Sequence, residues 1–175
     1  MAPVELSIVV PTYKERGNVA ELVRRLDAAL AGIAWEAIYV DDNSPDGTAE
    51  AVKAIAARDP RIRCLKRVGR RGLAGACIEG MLSSAAPYVA VIDADLQHDE
   101  KVLPLMLARL KAGEADLVAG TRYVEGGSAA SFARGRGFLS RLATRLTRAL
   151  VGTDLSDPMS GLFMMRRDRF DAIAP

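Results

Sequence analysis

Short apolar runs alternate with helix-type segments along the first two-thirds of the chain, and this alternation constrains the fold more than any other feature. The spacing predicts strands over residues 6–10, 36–42, 61–67, 88–92 and 115–120. Each run is too short for a core helix and typical of a strand, whereas the segments between them repeat apolar residues at helical spacing. The pattern therefore predicts an α/β fold, a three-layer sandwich with helices on both faces of a mostly parallel central sheet.

The helical segments carry recognisable start signals. Asn18, followed three residues later by Glu21, predicts a capping box at the start of the first helix. Further helices are expected to end near residues 58 and 86, and others to cover about 100–112 and 134–151. In the last of these, leucines form one face and arginines another, which fits either a solvated face or attraction to an anionic membrane surface.

Length and composition limit the class of protein. The chain has 175 residues, half of them apolar and about a quarter charged, which suits a single globular domain over residues 1–175. No run approaches the ~18 apolar residues of a membrane span. Cys64 and Cys77 lack the spacing of a zinc site and are expected to be buried free thiols. After residue 120 the chain has nine arginines, no lysine and five acids, an excess suited to binding phosphate.

Four polar clusters follow predicted strands: PTYKE, DDNSPDG, DADLQ and GTRY. Ligands of parallel α/β sheets bind beyond the carboxyl ends of the strands. Because all four clusters fall at such ends, we expect them to form one site rather than four unrelated loops.

The DADLQ cluster suggests a cation site. Asp93 and Asp95 supply carboxylates and Gln97 an amide oxygen, the oxygen donors that Mg²⁺ and Mn²⁺ prefer in diphosphate sites. The other interpretation is a solvated acidic loop in which Asp99 caps the next helix. His98 fits either a place in the site or a solvated loop.

The remaining clusters are less specific. Asp42 suits a ribose or base, since turn chemistry does not require a second carboxylate beside Asp41. Tyr13 offers a stacking surface. Arg71, before a glycine-rich helix start, could bind phosphate, and so could Arg122. Each of these residues also fits an ordinary loop.

Taken together and in this order, VVPTYKERGNV, VDDNSPDGT, DADLQH and GTRYVEGG resemble the family 2 glycosyltransferases of GT-A fold, and within them the polyprenol-phosphate (dolichol-phosphate) mannosyltransferases. The resemblance implies a role for each matching residue. The nucleoside-binding set is Pro11, Tyr13, Glu15, Val40 and Asp42, and the full nucleotide-sugar site adds Arg71, Asp93, Ala94, Asp95 and Arg122. The implied metal ligands are Asp93, Asp95 and Gln97. The residues implied to hold the acceptor phosphate are Arg122, Arg136 and Ser160. The implied catalytic residues are Asp95, Arg122 and Arg136.

The resemblance also implies the reaction: inverting transfer of mannose from GDP-mannose to a polyprenyl phosphate, dependent on Mg²⁺ or Mn²⁺. The expected partners are that donor, that acceptor and a membrane surface, with no nucleic acid. The expected location is peripheral, at the cytoplasmic face of a membrane. Family members usually continue with a basic loop, an amphipathic helix and sometimes membrane spans, so the chain resembles a catalytic core without the membrane-associated part.

Other interpretations remain open at this point. The donor could be UDP-glucose or another UDP-sugar, and the chain could be a non-catalytic nucleotide-binding module. A phosphatase of the haloacid dehalogenase type also uses a DxD motif, but after its first strand, whereas here the motif follows the fourth. A dinucleotide-dependent dehydrogenase would need GxGxxG after the first strand, which is missing.

Overall fold

The computed structural model describes residues 3–120 and 161–174. Its centre is a six-stranded sheet with the order β3-β2-β1-β4-β6-β5. The strands are β1 (Leu6–Thr12), β2 (Trp35–Asp41), β3 (Ile62–Lys66), β4 (Tyr88–Val91), β5 (Leu117–Ala119) and β6 (Phe163–Arg166). The five predicted strands are confirmed as β1 to β5, with small differences at their ends.

Helices cover both faces of this sheet. They are α1 (Val19–Ala29), α2 (Thr48–Ala56), α3 (Leu73–Leu82), α4 (Leu103–Lys111) and α5 (Arg167–Asp171), and a short 3₁₀ helix (Glu100–Val102) precedes α4. One core cluster packs α1, α2 and α4 against one face of the sheet, and a second packs α3 and α5 against the other. The described residues therefore form the expected three-layer α/β sandwich.

The central strand β1 shows why the sheet is buried on both faces. All seven of its residues are buried, with Ile8 and Val10 in one core cluster and Val9 in the other. β1 pairs in parallel with β2 on one side and with β4 on the other. Continuous apolar runs are typical of parallel strands covered by helices, and here they bring the carboxyl ends of three strands to one edge.

Strand β6 was not predicted from the sequence. It lies between β4 and β5 and is antiparallel to both. Its apolar core, Phe163 to Met165, is only three residues long and is followed by two arginines, so periodicity could not distinguish it from a loop. Its location inside the sheet depends on long-range pairing, which local sequence does not report.

Two predicted helix features need correction. Helix α3 ends at Leu82, not near residue 86, because Ser84 turns the chain: its Oγ donates to Ser7 Oγ and accepts from the amide of Ala86. The capping box at α1 is absent, since Asn18 makes no side-chain cap. Its amide donates instead to Glu15 Oε2, and Glu21 binds Arg24 and Arg25.

Other predictions of the sequence are confirmed. Asp99 caps the 3₁₀ helix by accepting from the amide of Lys101 at 3.1 Å. Cys64 and Cys77 are free and partly buried, and burial raises the pKa of the Cys77 thiol to about 12. Within residues 3–120 and 161–174, no helix has the length and apolar character to cross a bilayer. The predicted helix over 134–151 lies outside the described residues.

Candidate functional site

The carboxyl ends of β1, β2 and β4 carry the polar side chains of the candidate site. Because these strands are parallel neighbours, the segments that follow them lie side by side. Tyr13 and Glu15 follow β1, Asp42 follows β2, and Asp93 to Asp95 follow β4. The structure thus brings together, at one edge of the sheet, three of the four clusters predicted to form a site; the fourth, GTRY, lies almost wholly outside the described residues.

Asp93 and Asp95 flank a sharp turn at the end of β4. Ala94 between them is buried, and Leu96 has a left-handed φ of 61°. The carboxylate of Asp95 accepts a hydrogen bond from the amide of Gln97 at 3.1 Å. The carbonyl of Leu96 accepts from Arg25 Nη1 at 3.3 Å, which ties the turn to α1. The turn is therefore held both locally and by a neighbouring helix.

Glu15 shares the electrostatic environment of these two aspartates. Burial raises the pKa of the Glu15 carboxyl, and the negative charges of Asp95 and Asp93 raise it further. Its amide donates to Thr48 Oγ1 at 3.0 Å and its carboxylate accepts from Asn18. Three acidic side chains thus create a region of negative potential at the end of β4.

The donor set fits a hard divalent cation. In diphosphate sites the protein usually supplies one or two carboxylate ligands to Mg²⁺, and the phosphates supply others. The backbone at Gly161 packs so closely on Asp93 that a Cβ there would overlap its carboxylate, so the present position of this carboxylate requires a residue without a side chain at 161. In the described part of the chain, no group of three or more His, Cys, Asp or Glu side chains is arranged to hold a metal ion.

The third predicted ligand, Gln97, stays a prediction. Gln97 is exposed, and its backbone amide is what contacts the turn. The adjacent His98 is the inward-facing residue: its side chain is 7% exposed and its Nε2 lies 3.8 Å from Asp93 Oδ2. That distance exceeds a hydrogen bond, so His98 is a neighbour of the site and not a bonded partner of Asp93.

Asp42 is held by a buried ion pair that the sequence did not reveal. Its Oδ1 accepts from Arg67 Nη1 at 2.5 Å, and its Oδ2 accepts from the amide of Gly72 at 2.7 Å. The Arg67 side chain is 4% exposed and also donates to Glu79 at 3.2 Å. Asp42 therefore has a structural role as the partner of Arg67. The lone pairs of its carboxylate that these bonds leave free could accept hydrogen bonds from a ribose or a base.

Asp41, by contrast, serves the turn after β2. It is fully buried, and its carboxylate accepts from the amide and hydroxyl of Ser44 at 2.9 Å and 2.5 Å. Thr12 donates to it from β1 at 3.4 Å. The two adjacent aspartates thus have different partners, and each carboxylate is stabilised by its own donors.

Tyr13 and Arg71 meet although they are 58 residues apart. The Arg71 guanidinium lies 5.0 Å from the Tyr13 ring centroid, and its Nη1 is 3.4 Å from the phenol oxygen. Tyr13 is 43% exposed, which leaves much of the ring open to solvent. A flat aromatic with an adjacent cation suits a nucleobase and its phosphates.

Pro11 and Val40 are register partners across β1 and β2. Both are buried, and the Val40 side chain belongs to the core beneath α3. Any nucleoside contact from Val40 would therefore use its backbone. Arg122, Arg136 and Ser160, predicted to hold phosphate, lie outside the described residues, so their roles stay predictions.

Comparison with known proteins identifies the family of this chain. The glycosyl transferase family 2 model matches residues 7–174. The chain belongs to glycosyl transferase family 2. Its GT-A fold agrees with a mannosyltransferase from Pyrobaculum calidifontis solved with GDP-Man and Mn²⁺, with a TM-score of 0.69, 19% identity, and coverage of 99% of this chain and 47% of that one.

Two further relatives extend the comparison. A dolichol-phosphate mannosyltransferase of Pyrococcus furiosus is 34% identical over 171 residues, 97% of this chain and 48% of the relative. Glucosyl-3-phosphoglycerate synthase of Mycobacterium tuberculosis, solved with Mn²⁺, UDP and phosphoglyceric acid, has a TM-score of 0.63 and 25% identity over 95% of this chain and 57% of that one. The chain spans about half the length of the curated relative.

Proposed function

We propose that this protein transfers mannose from GDP-mannose to a polyprenyl phosphate at a membrane surface, with inversion at the sugar. The observation that carries the proposal is the carboxylate pair Asp93 and Asp95 at the same edge of the sheet as the Tyr13–Arg71 contact, in a chain related to a dolichol-phosphate mannosyltransferase. The cytoplasmic, peripheral location inferred from the resemblance belongs to the same proposal.

Each part of the site has a chemical task in this reaction. The Tyr13 ring stacks on the base, Asp42 accepts from the ribose or base, and Arg71 contacts phosphate. Asp93 and Asp95, with Gln97, hold a divalent cation. When bound, the cation neutralises the leaving diphosphate as a Lewis acid.

The transfer itself is a single displacement. An oxygen of the acceptor phosphate forms a bond to C1 of mannose, and the bond from C1 to the GDP oxygen breaks. Because the second pKa of a phosphate monoester is about 6, the acceptor is already ionised near neutrality and needs no strong base. Rate then depends on positioning, for which Arg122 and Arg136 are the proposed acceptor-phosphate ligands.

The activity test uses Asp95→Asn, which keeps an oxygen for the Gln97 amide but removes the charge. Loss of a metal ligand should lower the rate of mannosyl phosphate formation by about 100-fold or more. Asp99→Asn is the matched control, since Asp99 is an exposed aspartate of the same loop whose capping role asparagine can keep. Equal activity of Asp95→Asn and the unmodified chain would exclude the metal role.

A UDP-sugar donor is the second candidate, because glucosyl-3-phosphoglycerate synthase, a structural neighbour, was solved with UDP. Calorimetric titration of GDP, GDP-mannose, UDP and UDP-glucose, with and without Mn²⁺, decides between the donors. Tighter binding of GDP and GDP-mannose supports the proposal. Tighter binding of the uridine nucleotides overturns the mannosyl assignment, and metal-independent binding contradicts the cation site.

A further inference from the structure

Gly161 lies against the first aspartate of the cation site. β4 and β6 are antiparallel, with Val91 paired to Phe163, and continuing this register by two residues sets Asp93 opposite Gly161. A Cβ built on Gly161 would overlap Asp93 Oδ2, lie 2.5 Å from Cγ and 3.1 Å from Oδ1. Real Cβ atoms do not make contacts under 3.0 Å, so any larger residue would displace the carboxylate.

The glycine is required by this contact and not by the backbone. The φ of Gly161 lies outside the left-handed region that other residues avoid, so alanine could adopt its conformation. Gly17 is a useful comparison, because its φ is also ordinary and no atom lies within 4 Å of its Cβ position. What distinguishes Gly161 is the carboxylate in front of it.

The turn that carries Asp93 is fixed by its neighbours, whereas the Asp93 side chain is 31% exposed and can rotate. Its Oδ2, the oxygen closest to Gly161, also lies 3.8 Å from Nε2 of the buried His98 side chain. The next residue, Ala94, is 3% exposed, and Leu96 is anchored to α1 through Arg25. A displaced carboxylate would therefore have to rotate away from its present position relative to Asp95.

We propose that Gly161 is a positioning residue that sets the Asp93 carboxylate for cation binding. In this role the segment that leads into β6 limits where the Asp93 carboxylate can lie. The metal part of the proposal rests on the proposed function, whereas the packing between Gly161 and Asp93 does not.

The first test measures Mn²⁺ affinity by electron paramagnetic resonance of the free ion, with GDP present. We expect Gly161→Ala to weaken Mn²⁺ binding by at least about tenfold, the usual cost of disturbing a ligand's support. The far-ultraviolet circular dichroism spectrum and the cooperativity of unfolding should stay unchanged, which a general folding defect would not allow. Gly17→Ala should behave like the unmodified chain. Unchanged Mn²⁺ affinity in Gly161→Ala would overturn the proposal.

The second test is a double-mutant cycle on thermal stability that needs neither metal nor substrate. Gly161→Ala should lower Tm in the unmodified chain but leave it unchanged in the Asp93→Ala background, where the overlapping carboxylate is gone. If Gly161→Ala alone does not fold, folding of the double variant supports the proposal. Equal loss in both backgrounds, or a double variant that does not fold while Asp93→Ala folds, overturns it. The result of this cycle does not depend on mannosyl transfer. Failure of the proposed function can therefore be distinguished from failure of the proposal for Gly161.

Discussion

Arg67 is a buried cation whose side chain contacts residues at the end of β2 and in and before α3. It reaches Asp42, Glu79 and the carbonyl of Gly72, and its Nη2 would lie 2.6 Å from a Cβ on Gly75. Since Asp42 also accepts from the amide of Gly72, the ion pair joins the end of β2 to the start of α3. The carboxylate proposed to bind the nucleoside is therefore held before any ligand arrives.

At this residue scale, we expect Arg67→Met to lower the free energy of unfolding by about 3–5 kcal/mol, because Asp42 would be left buried without its cation. Urea denaturation followed by circular dichroism measures the change. Arg70→Met is the control, since Arg70 is 63% exposed and also pairs with Glu79, and it should stay within about 0.5 kcal/mol. Similar losses in both variants would contradict the role of the buried pair.

At the scale of elements, the fit of α3 on the sheet depends on a small residue. Gly80 faces β1 and β2: a Cβ there would overlap Val9 and lie 2.9 Å from Val40 Cγ2. The helix can approach this closely only where it carries no side chain. Helix α3 begins directly after Gly72, which contacts both Arg67 and Asp42. The distance between α3 and the sheet therefore also affects the positions of the Arg67–Asp42 pair and of Arg71.

We expect Gly80→Ala to destabilise the protein by about 1–3 kcal/mol through overpacking, although alanine in an exposed helix would add about 0.5–1 kcal/mol of stability. The readout is the urea midpoint. A double variant with Val9→Ala opens space beneath the helix and should recover part of the loss. A stabilising effect of Gly80→Ala alone would show that the helix is not held at this distance.

At the scale of the whole molecule, β6 makes the sheet depend on residues from both ends of the chain. It forms its ladders with β4 and β5, and Met164 at its centre is fully buried. Without β6, β4 would have an open edge and β5 would lose its only described partner strand. Folding must therefore pair strands that lie more than 40 residues apart in the sequence, which slows formation of this part of the sheet.

A chain ending at residue 160 should therefore lose cooperative unfolding. This truncation removes β6 and α5, so the backbone groups of β4 and β5 lose their partners and the core that contains Phe170 is opened. Thermal and urea transitions monitored by circular dichroism measure this effect, with a chain shortened only by Pro175 as the control. A sharp transition in the shorter chain, at a midpoint like the control's, would show that β6 is dispensable.

Much of the fold and part of the site could be predicted from local sequence. The first five strands follow from their apolar runs, and residues such as Tyr13, Asp42 and Asp93 follow from the rule that parallel strands present their carboxyl ends at one edge. The capping box failed because Asn18 had a better partner in Glu15, a contact within the folded loop. The burial of Arg67 and its pairing with Asp42 were not predicted, because an arginine at the end of a strand is usually exposed to solvent.

Local sequence was enough to predict the alternation of strands and helices, the edge at which the polar clusters meet and the carboxylates of that edge, because periodicity and turn chemistry are local properties. Three features could be seen only in the folded chain: β6 lies inside the sheet, Asp42 is paired with Arg67, and Gly161 packs against Asp93. Each of these contacts joins residues between 25 and more than 70 positions apart. Their partners are selected by burial and steric fit in the folded chain, which no short window of sequence contains.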